Sequence, residues 1–263
     1  DDIVILDKLS HACLVDGARA SRATLRVFAH NDLAQLEDHL RWARGRAAAA
    51  ARVIVVTESV FSMDGDLAPL AEIVDLKDRH GAWLLLDEAH ATGVFGPHGR
   101  GCAAAAGLGD RIDVQLGTLS KALGTHGGFI AGSRALVDLL VNKARPFIYS
   151  TAPPVPVVAA ARAAIDLVAS PEGDARRARL REVVGELAAI LGLAAPASPI
   201  LPVAVGDEAA AVAQAARLFE AGFFVPAIRY PTVPRGKARL RCSASAAHSP
   251  NDLAALAQAA AAW

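Results

Sequence analysis

Four short apolar runs set the main constraint on how this chain folds: "DIVIL" at 2–6, "RVIVV" at 52–56, "AWLLL" at 82–86 and "IDVQL" at 112–116. Each is too short for a buried helix and too continuously apolar for a strand with one face in water. Strands of that kind are buried on both faces, and the amphipathic segments between them supply the covering helices. The pattern predicts an α/β fold with a mostly parallel sheet. Helix starts are marked as well. Asp32 can cap "LAQLEDHLRWARGR", Pro69 suits the first turn before "LAEIVDLKDRH", and Ser133 can cap "RALVDLLVNKA".

After the proline cluster "STAPPVP" at 150–156 the chain turns helical and alanine-rich through about residue 193. It continues with "PILPVAV", a helix over about 208–221, "FFVPAIRY", "ARLRCSAS" and a closing helix, the pattern of a small α+β unit. The expected organisation is therefore a large domain over 1–165 and a small C-terminal domain over 166–263. A chain of 263 residues, 53% hydrophobic, has enough apolar surface for both. The alanine tracts at 47–51 and 259–262 read as helix-favouring or loop filler.

The charge balance narrows the function. With 27 basic and 27 acidic residues, no net field favours nucleic acid or an anionic membrane. Cys13, Cys102 and Cys242 form neither a CxxC pair nor a metal-ligand cluster, so no metal site is expected and a reducing cytoplasm fits best. No apolar run approaches the ~18 residues that span a bilayer, and the first residues carry acids where a signal peptide carries bases. The expectation is a cytoplasmic protein.

In open α/β sheets, reactive groups collect beyond the carboxyl ends of the strands. His11 follows the first run, "TESVFSMDGD" the second, Asp87 the third, and Thr118 and Lys121 the fourth. Asp87 ends a strongly apolar strand, where an ionised carboxylate is costly without a cationic partner; from this residue alone, a helix cap or a satisfied structural acid explains it equally well. His90 lies one turn on. Of the five lysines, Lys77 and Lys143 fit solvated helix faces and Lys237 a polar turn, whereas Lys121 sits in "GTLSKALGTHGG" among small and hydroxyl residues. A lysine desolvated in such a setting loses its proton more readily and becomes a nucleophile able to form a Schiff base. Arg229, in a segment stiffened by Pro226, Pro231 and Pro234, could present its guanidinium in a fixed direction to a carboxylate.

Together these segments resemble the α-oxoamine synthases, pyridoxal-phosphate enzymes of the aspartate-aminotransferase fold type (fold type I). The resemblance runs in order through "LDKLSHACL", "FAHND", "TESVFSMDGDLAPL", "LLLDEAHATGVFGPHGRG", "TLSKALGTHGG", "IYSTAPPVP" and "AIRYPTVPRGKARLR". It implies pyridoxal 5′-phosphate (PLP) as cofactor, held covalently by Lys121, which also moves the Cα proton. Asp87 would pair with the pyridinium nitrogen, and His11 would stack on the ring. Ser62 and His90 would bond near the phenolic oxygen, and Thr118 would support the phosphate. Arg229 would grip the substrate carboxylate, with Thr232 lining the substrate site. "VFSMDGDLAPL", "YSTAPP" and "AIRYPTVPRG" are closest to members that join L-alanine to a pimeloyl thioester, carried by coenzyme A or a carrier protein, in biotin synthesis. A homodimer is also implied. Family members usually begin well upstream of "DDIVILDKLSH", so an N-terminally incomplete large domain is expected.

Three alternatives stay open. Another α-oxoamine synthase, such as 2-amino-3-ketobutyrate CoA ligase, shares the chemistry but differs in amino acid and acyl group. "DEAH" also matches a helicase-type NTPase box, but that activity needs an upstream GxxxxGK[ST] loop, and the sequence has none. A non-catalytic partner chain is disfavoured by the presence of Lys121, Asp87 and Arg229.

Overall fold

The computed structural model describes residues 1–46 and 51–260. The alanine tracts read as filler fall largely outside these, at 47–50 and 261–262. Two compact units are present: Asp1–Val60 with Ala68–Asp174, and Phe61–Leu67 with Ala175–Trp263. The division thus falls at Asp174/Ala175, and a short early segment belongs with the second unit.

The first unit holds a six-stranded sheet built from β1 (Ile3–Asp7), β2 (Thr24–Phe28), β3 (Val53–Glu58), β4 (Trp83–Asp87), β5 (Val114–Thr118) and β6 (Gly128–Gly132). Its order is β2-β1-β3-β4-β5-β6, parallel throughout except for the antiparallel β5–β6 pair. Helices α1 (Ala12–Ala20), α2 (Leu33–Arg44), α3 (Leu70–Arg79), α4 (Cys102–Ala105), α5 (Arg134–Lys143), α6 (Arg145–Ile148) and α7 (Val155–Ala169) complete it. The four apolar runs are the strands β1, β3, β4 and β5. Each continues one or two residues past the apolar stretch, because the ladder extends into the polar residue that ends it. The edge strands β2 and β6 were not evident: "TLRVF" is half exposed, and "GFIAG" is exposed and glycine-rich.

Local signals explain the helix starts. Asp32 accepts from the Gln35 N–H at 2.9 Å and Ser133 from the Leu136 N–H at 3.2 Å, each satisfying a donor that has no partner within the first turn. Pro69 sits at the cap, one residue before α3. Leu36, Leu40 and Ala43 form the buried stripe of α2. Lys77 departs from the solvated position expected of it. It is buried on α3, with its amine 2.9 Å from Asp78 and 3.0 Å from Asp113. Burial disfavours its charge, but the bonds to the two carboxylates outweigh that and raise its pKa.

The loop after β4 is held by Glu88. Its buried carboxylate accepts the N–H groups of Cys102 and Ala103, both at 2.9 Å, at the start of α4. Burial pushes its pKa up to about 7, partly opposed by these two N–H groups. Gly101 permits this approach: its φ is +98°, and a Cβ there would lie 1.4 Å from Glu88 Oε2. Gly101→Ala is accordingly expected to cost about 3 kcal/mol or more, combining backbone strain with the loss of a buried carboxylate's partners. Urea unfolding of the variant beside the parent measures it, and a change below 1 kcal/mol is the contrary result.

The second unit has an antiparallel sheet of order β7-β9-β8, formed by β7 (Ile200–Gly206), β8 (Ala227–Ile228) and β9 (Ala238–Ser243). With α8 (Pro171–Ile190), α9 (Glu208–Glu220) and α10 (Pro250–Ala260), it encloses a core of Val183, Leu187, Leu201, Leu218, Leu240 and Leu256. Only two residues of "FFVPAIRY" pair as a strand, since Pro226 and Pro231 bracket it and lack ladder N–H groups. The Phe61–Leu67 segment is tied in by arginines of β9. Arg241 Nε donates to the Ser62 carbonyl at 2.6 Å, and Arg239 bonds the Asp64 carboxylate. Among the described residues, no helix is long and apolar enough to cross a membrane.

Candidate active site

Three neighbouring strands of the first sheet, β1, β3 and β4, end in acids: Asp7, Glu58 and Asp87. A cavity of about 830 Å³ lies over the ends of β3, β4 and the adjacent β5, within the range of small-molecule sites. His11, Glu58, Asp87, His90, Thr118 and Lys121 all contribute to its wall. β4 delivers Asp87, the following turn His90, β5 Thr118 and the loop after it Lys121. His11 caps α1 in extended conformation, its Nδ1 accepting from the Cys13 N–H at 3.3 Å.

Lys121 Nζ lies 2.9 Å from His90 Nε2, close enough to pass a proton between amine and imidazole. Lys121 is exposed rather than desolvated, contrary to the setting expected from its small neighbours. Glycines leave its amine reachable instead of walling it in: Gly124 and Gly127 turn the loop with φ of +61° and +118°. Thr118 Oγ1 is 2.8 Å from Ser120 Oγ and donates to the Gly127 carbonyl at 3.1 Å, so two hydroxyls sit beside the lysine loop.

Asp87 is buried and accepts the Ala89 N–H at 2.8 Å. Burial raises its pKa, while the Ala89 N–H and the nearby Lys121 and His11 pull the other way. Glu58, its register partner on β3, is also buried and accepts the main-chain N–H of His11. Burial first, and then the neighbouring Asp87, push Glu58 up to about 8. The floor thus holds two adjacent carboxyl groups, of which Glu58 keeps its proton at neutral pH.

The structure brings His11, Asp87, His90, Thr118 and Lys121 to one cavity. Ser62, Arg229 and Thr232 belong to the second unit. There Ser62 offers its carbonyl to Arg241, and Arg229 and Thr232 are exposed, the Thr232 N–H donating to the Arg229 carbonyl at 3.0 Å. Glu58, Ser120 and Phe129 are among the wall residues that the sequence did not single out. Glu58 was findable, since it ends "VIVVTE" as Asp87 ends "WLLLD". Phe129 was not. Its ring lies over Gly117, its partner across β5–β6, where a Cβ would meet Phe129 Cζ at 2.3 Å.

Comparison with known proteins sets this chain in a class. The chain belongs to the aminotransferase class I and II family, which it matches over residues 1–259. Its architecture is the α/β, aspartate-aminotransferase-like fold of that family. Among curated relatives it is similar to an 8-amino-7-oxononanoate synthase from Anaeromyxobacter dehalogenans, 52% identical over 253 residues, which cover 94% of this chain. The chain spans 62% of that relative's length. Of solved structures, a serine palmitoyltransferase variant from S. paucimobilis with a bound PLP–myriocin aldimine superposes with a TM-score of 0.90 at 35% identity. The match covers 99% of this chain and 66% of that one. An 8-amino-7-oxononanoate synthase from Francisella tularensis gives 0.78 at 28% identity, covering 99% and 75%.

Proposed function

We propose that the protein condenses L-alanine with a pimeloyl thioester, carried by coenzyme A or a carrier protein, to give 8-amino-7-oxononanoate. PLP is the proposed cofactor. In this reaction the alanine Cα gives up its proton and bonds to the acyl carbonyl carbon, the carrier leaves as its thiol, carbon dioxide departs from the alanine carboxylate, and Cα takes up a proton in its place. The observation that carries the reading is the Lys121–His90 contact at 2.9 Å in a cavity that also presents Asp87. The 52% identity to a curated synthase of this name supports it.

The residues fit the cofactor by their chemistry. They include a reachable primary amine, a buried acid whose charge needs a cationic partner, an imidazole at the wall and paired hydroxyls on the lysine loop. PLP, when bound, supplies an aldehyde for covalent attachment and a ring that delocalises the electron pair released at Cα. Lys121 is the attaching amine and the group that takes and returns the Cα proton. His90 holds that amine and can exchange its proton. Asp87 would stabilise a cationic ring nitrogen, which offsets the cost of burying its own charge. His11 offers a flat face to the ring, and Thr118 and Ser120 would hold the phosphate.

Three roles fall to the second unit. Ser62 is assigned to the phenolic oxygen, Arg229 to the alanine carboxylate and Thr232 to the substrate. A homodimer is part of the same reading. For Arg229→Lys, the charge stays but the planar two-pronged fork is lost. The apparent KM for alanine should rise about 10-fold or more, the scale of a lost charge-assisted bond, with cofactor binding unchanged. Steady-state kinetics with PLP absorbance measures both, and an unaltered KM refutes the assignment.

A second reading rests on the serine palmitoyltransferase structure, whose TM-score of 0.90 exceeds the 0.78 of the F. tularensis synthase. It is a related condensation with another amino acid and acyl group. Mass spectrometry of products from alanine, glycine and serine, each with pimeloyl-CoA and longer acyl thioesters, separates the two. An alanine–pimeloyl product upholds the first reading, and a product only from serine or glycine replaces it.

A further inference from the structure

Glu58 has no part in the reaction as just described, yet it is a buried acid that lines the cavity beside Asp87. It is the last residue of β3, and its strand is flanked by β1 on one side and β4 on the other. On the β4 side its register partner is Asp87. On the β1 side its Oε1 accepts the main-chain N–H of His11, where the chain leaves β1 and enters α1. At 3% exposure Glu58 has almost no water to bond, so this acceptor role is where its placement leads.

The His11 ring in turn depends on its backbone. His11 Nδ1 accepts the Cys13 N–H and lies 3.0 Å from Cys13 Sγ, so the imidazole is set by the path of residues 11–13. Holding the His11 N–H therefore holds the ring. We propose that Glu58 is a positioning residue that fixes the His11 imidazole against the cavity through the His11 main chain.

The groups facing Glu58 bear this out. Asp87 and Asp7 oppose its ionisation, the His11 N–H and Lys121 favour it, and burial outweighs them all, placing its pKa at about 8. The Cys13 thiol, raised mainly by its own burial, feels both Asp87 and Glu58. Glu58 thus serves at neutral pH as a neutral acceptor. With Glu58 neutral, the adjacent Glu58 and Asp87 pair carries at most one negative charge, that of Asp87, rather than two, which suits one cationic partner. Glutamine reproduces that neutral acceptor; methionine matches the length without it.

The inference rests on the proposed function only where PLP is used as a probe, so the experiment has one arm with PLP and one without. The first arm follows the His11 imidazole by NMR in the cofactor-free protein. Glu58→Gln should retain the parent's His11 shifts, and Glu58→Met should move them toward those of an unstructured histidine. His11 shifts unmoved in Glu58→Met overturn the proposal. In the second arm, PLP affinity is titrated from pH 6 to 9.5. The parent should lose about 10-fold as Glu58 ionises near pH 8 and places a second charge beside Asp87, whereas Glu58→Gln stays level through that range. Should Glu58→Met fail to fold, Glu58→Gln decides in the first arm: His11 shifts displaced from the parent's in this variant, which keeps the neutral acceptor, overturn the proposal. A parent that binds no PLP at any pH defeats the proposed function instead, and the NMR arm still decides the role of Glu58.

Discussion

Lys121→Ala is expected to abolish the borohydride-stable attachment of PLP and to lower the proposed condensation by roughly 10⁴-fold or more, the scale when one residue serves as both nucleophile and proton carrier. Lys121 is the lysine of the cavity wall among the described residues, and its amine is the one that His90 touches. Of the others, Lys77 is spent on Asp78 and Asp113. The change removes a side chain from an exposed loop residue, so the fold should survive and the loss should be chemical. Reduction with borohydride followed by peptide mass spectrometry should find the pyridoxyl label on Lys121 in the parent and nowhere in the variant. A label on another lysine would sink the assignment.

Asp87→Asn separates function from stability. Asparagine keeps the size of the side chain and an oxygen for the Ala89 N–H, but removes the charge. With no anion facing the ring nitrogen, exchange of the alanine Cα proton into deuterated water should fall by about 10³-fold, the scale of losing a preorganised electrostatic partner. Stability should move the other way. The folded-state pKa of Asp87 is raised by burial, so its contribution is fully present at low pH, below the unfolded value. It is lost as pH rises through the folded value. Near pH 7 the parent therefore carries a cost that the variant lacks, and Asp87→Asn should melt no lower than the parent there. Thermal unfolding at pH 4 and pH 7 tests the sign. Parent-like exchange in the variant would refute the role, and a large drop in melting temperature at pH 7 would make Asp87 structural instead.

Much of the fold was legible because its signals are local. Strands β1, β3 and β4 are buried on both faces and leave unbroken apolar runs. Asp32 and Ser133 cap their helices through bonds that span three residues. The edge strands β2 and β6 left no such mark, since an edge needs no apolar alternation and β6 is built on glycine and alanine.

The site divides along the same line. That Asp87 ends an apolar strand and that Lys121 sits among glycines are facts of neighbouring residues, and the sequence alone was enough to single both out. The pairing of Glu58 with Asp87 joins residues that meet only when β3 lies beside β4 in one register. The elevated pKa of Glu58, its hold on the His11 main chain, the meeting of Lys121 with His90 and the burial of Lys77 between two acids follow from such pairings too. The placement of Ser62 with the second unit is of this kind as well, set by the reach of Arg241 to its carbonyl. Chain chemistry written into neighbouring residues determined the inner strands, the helix caps and the candidate side chains Asp87 and Lys121. Desolvation and proximity between distant residues, which exist only after packing, decided how those side chains are charged and held.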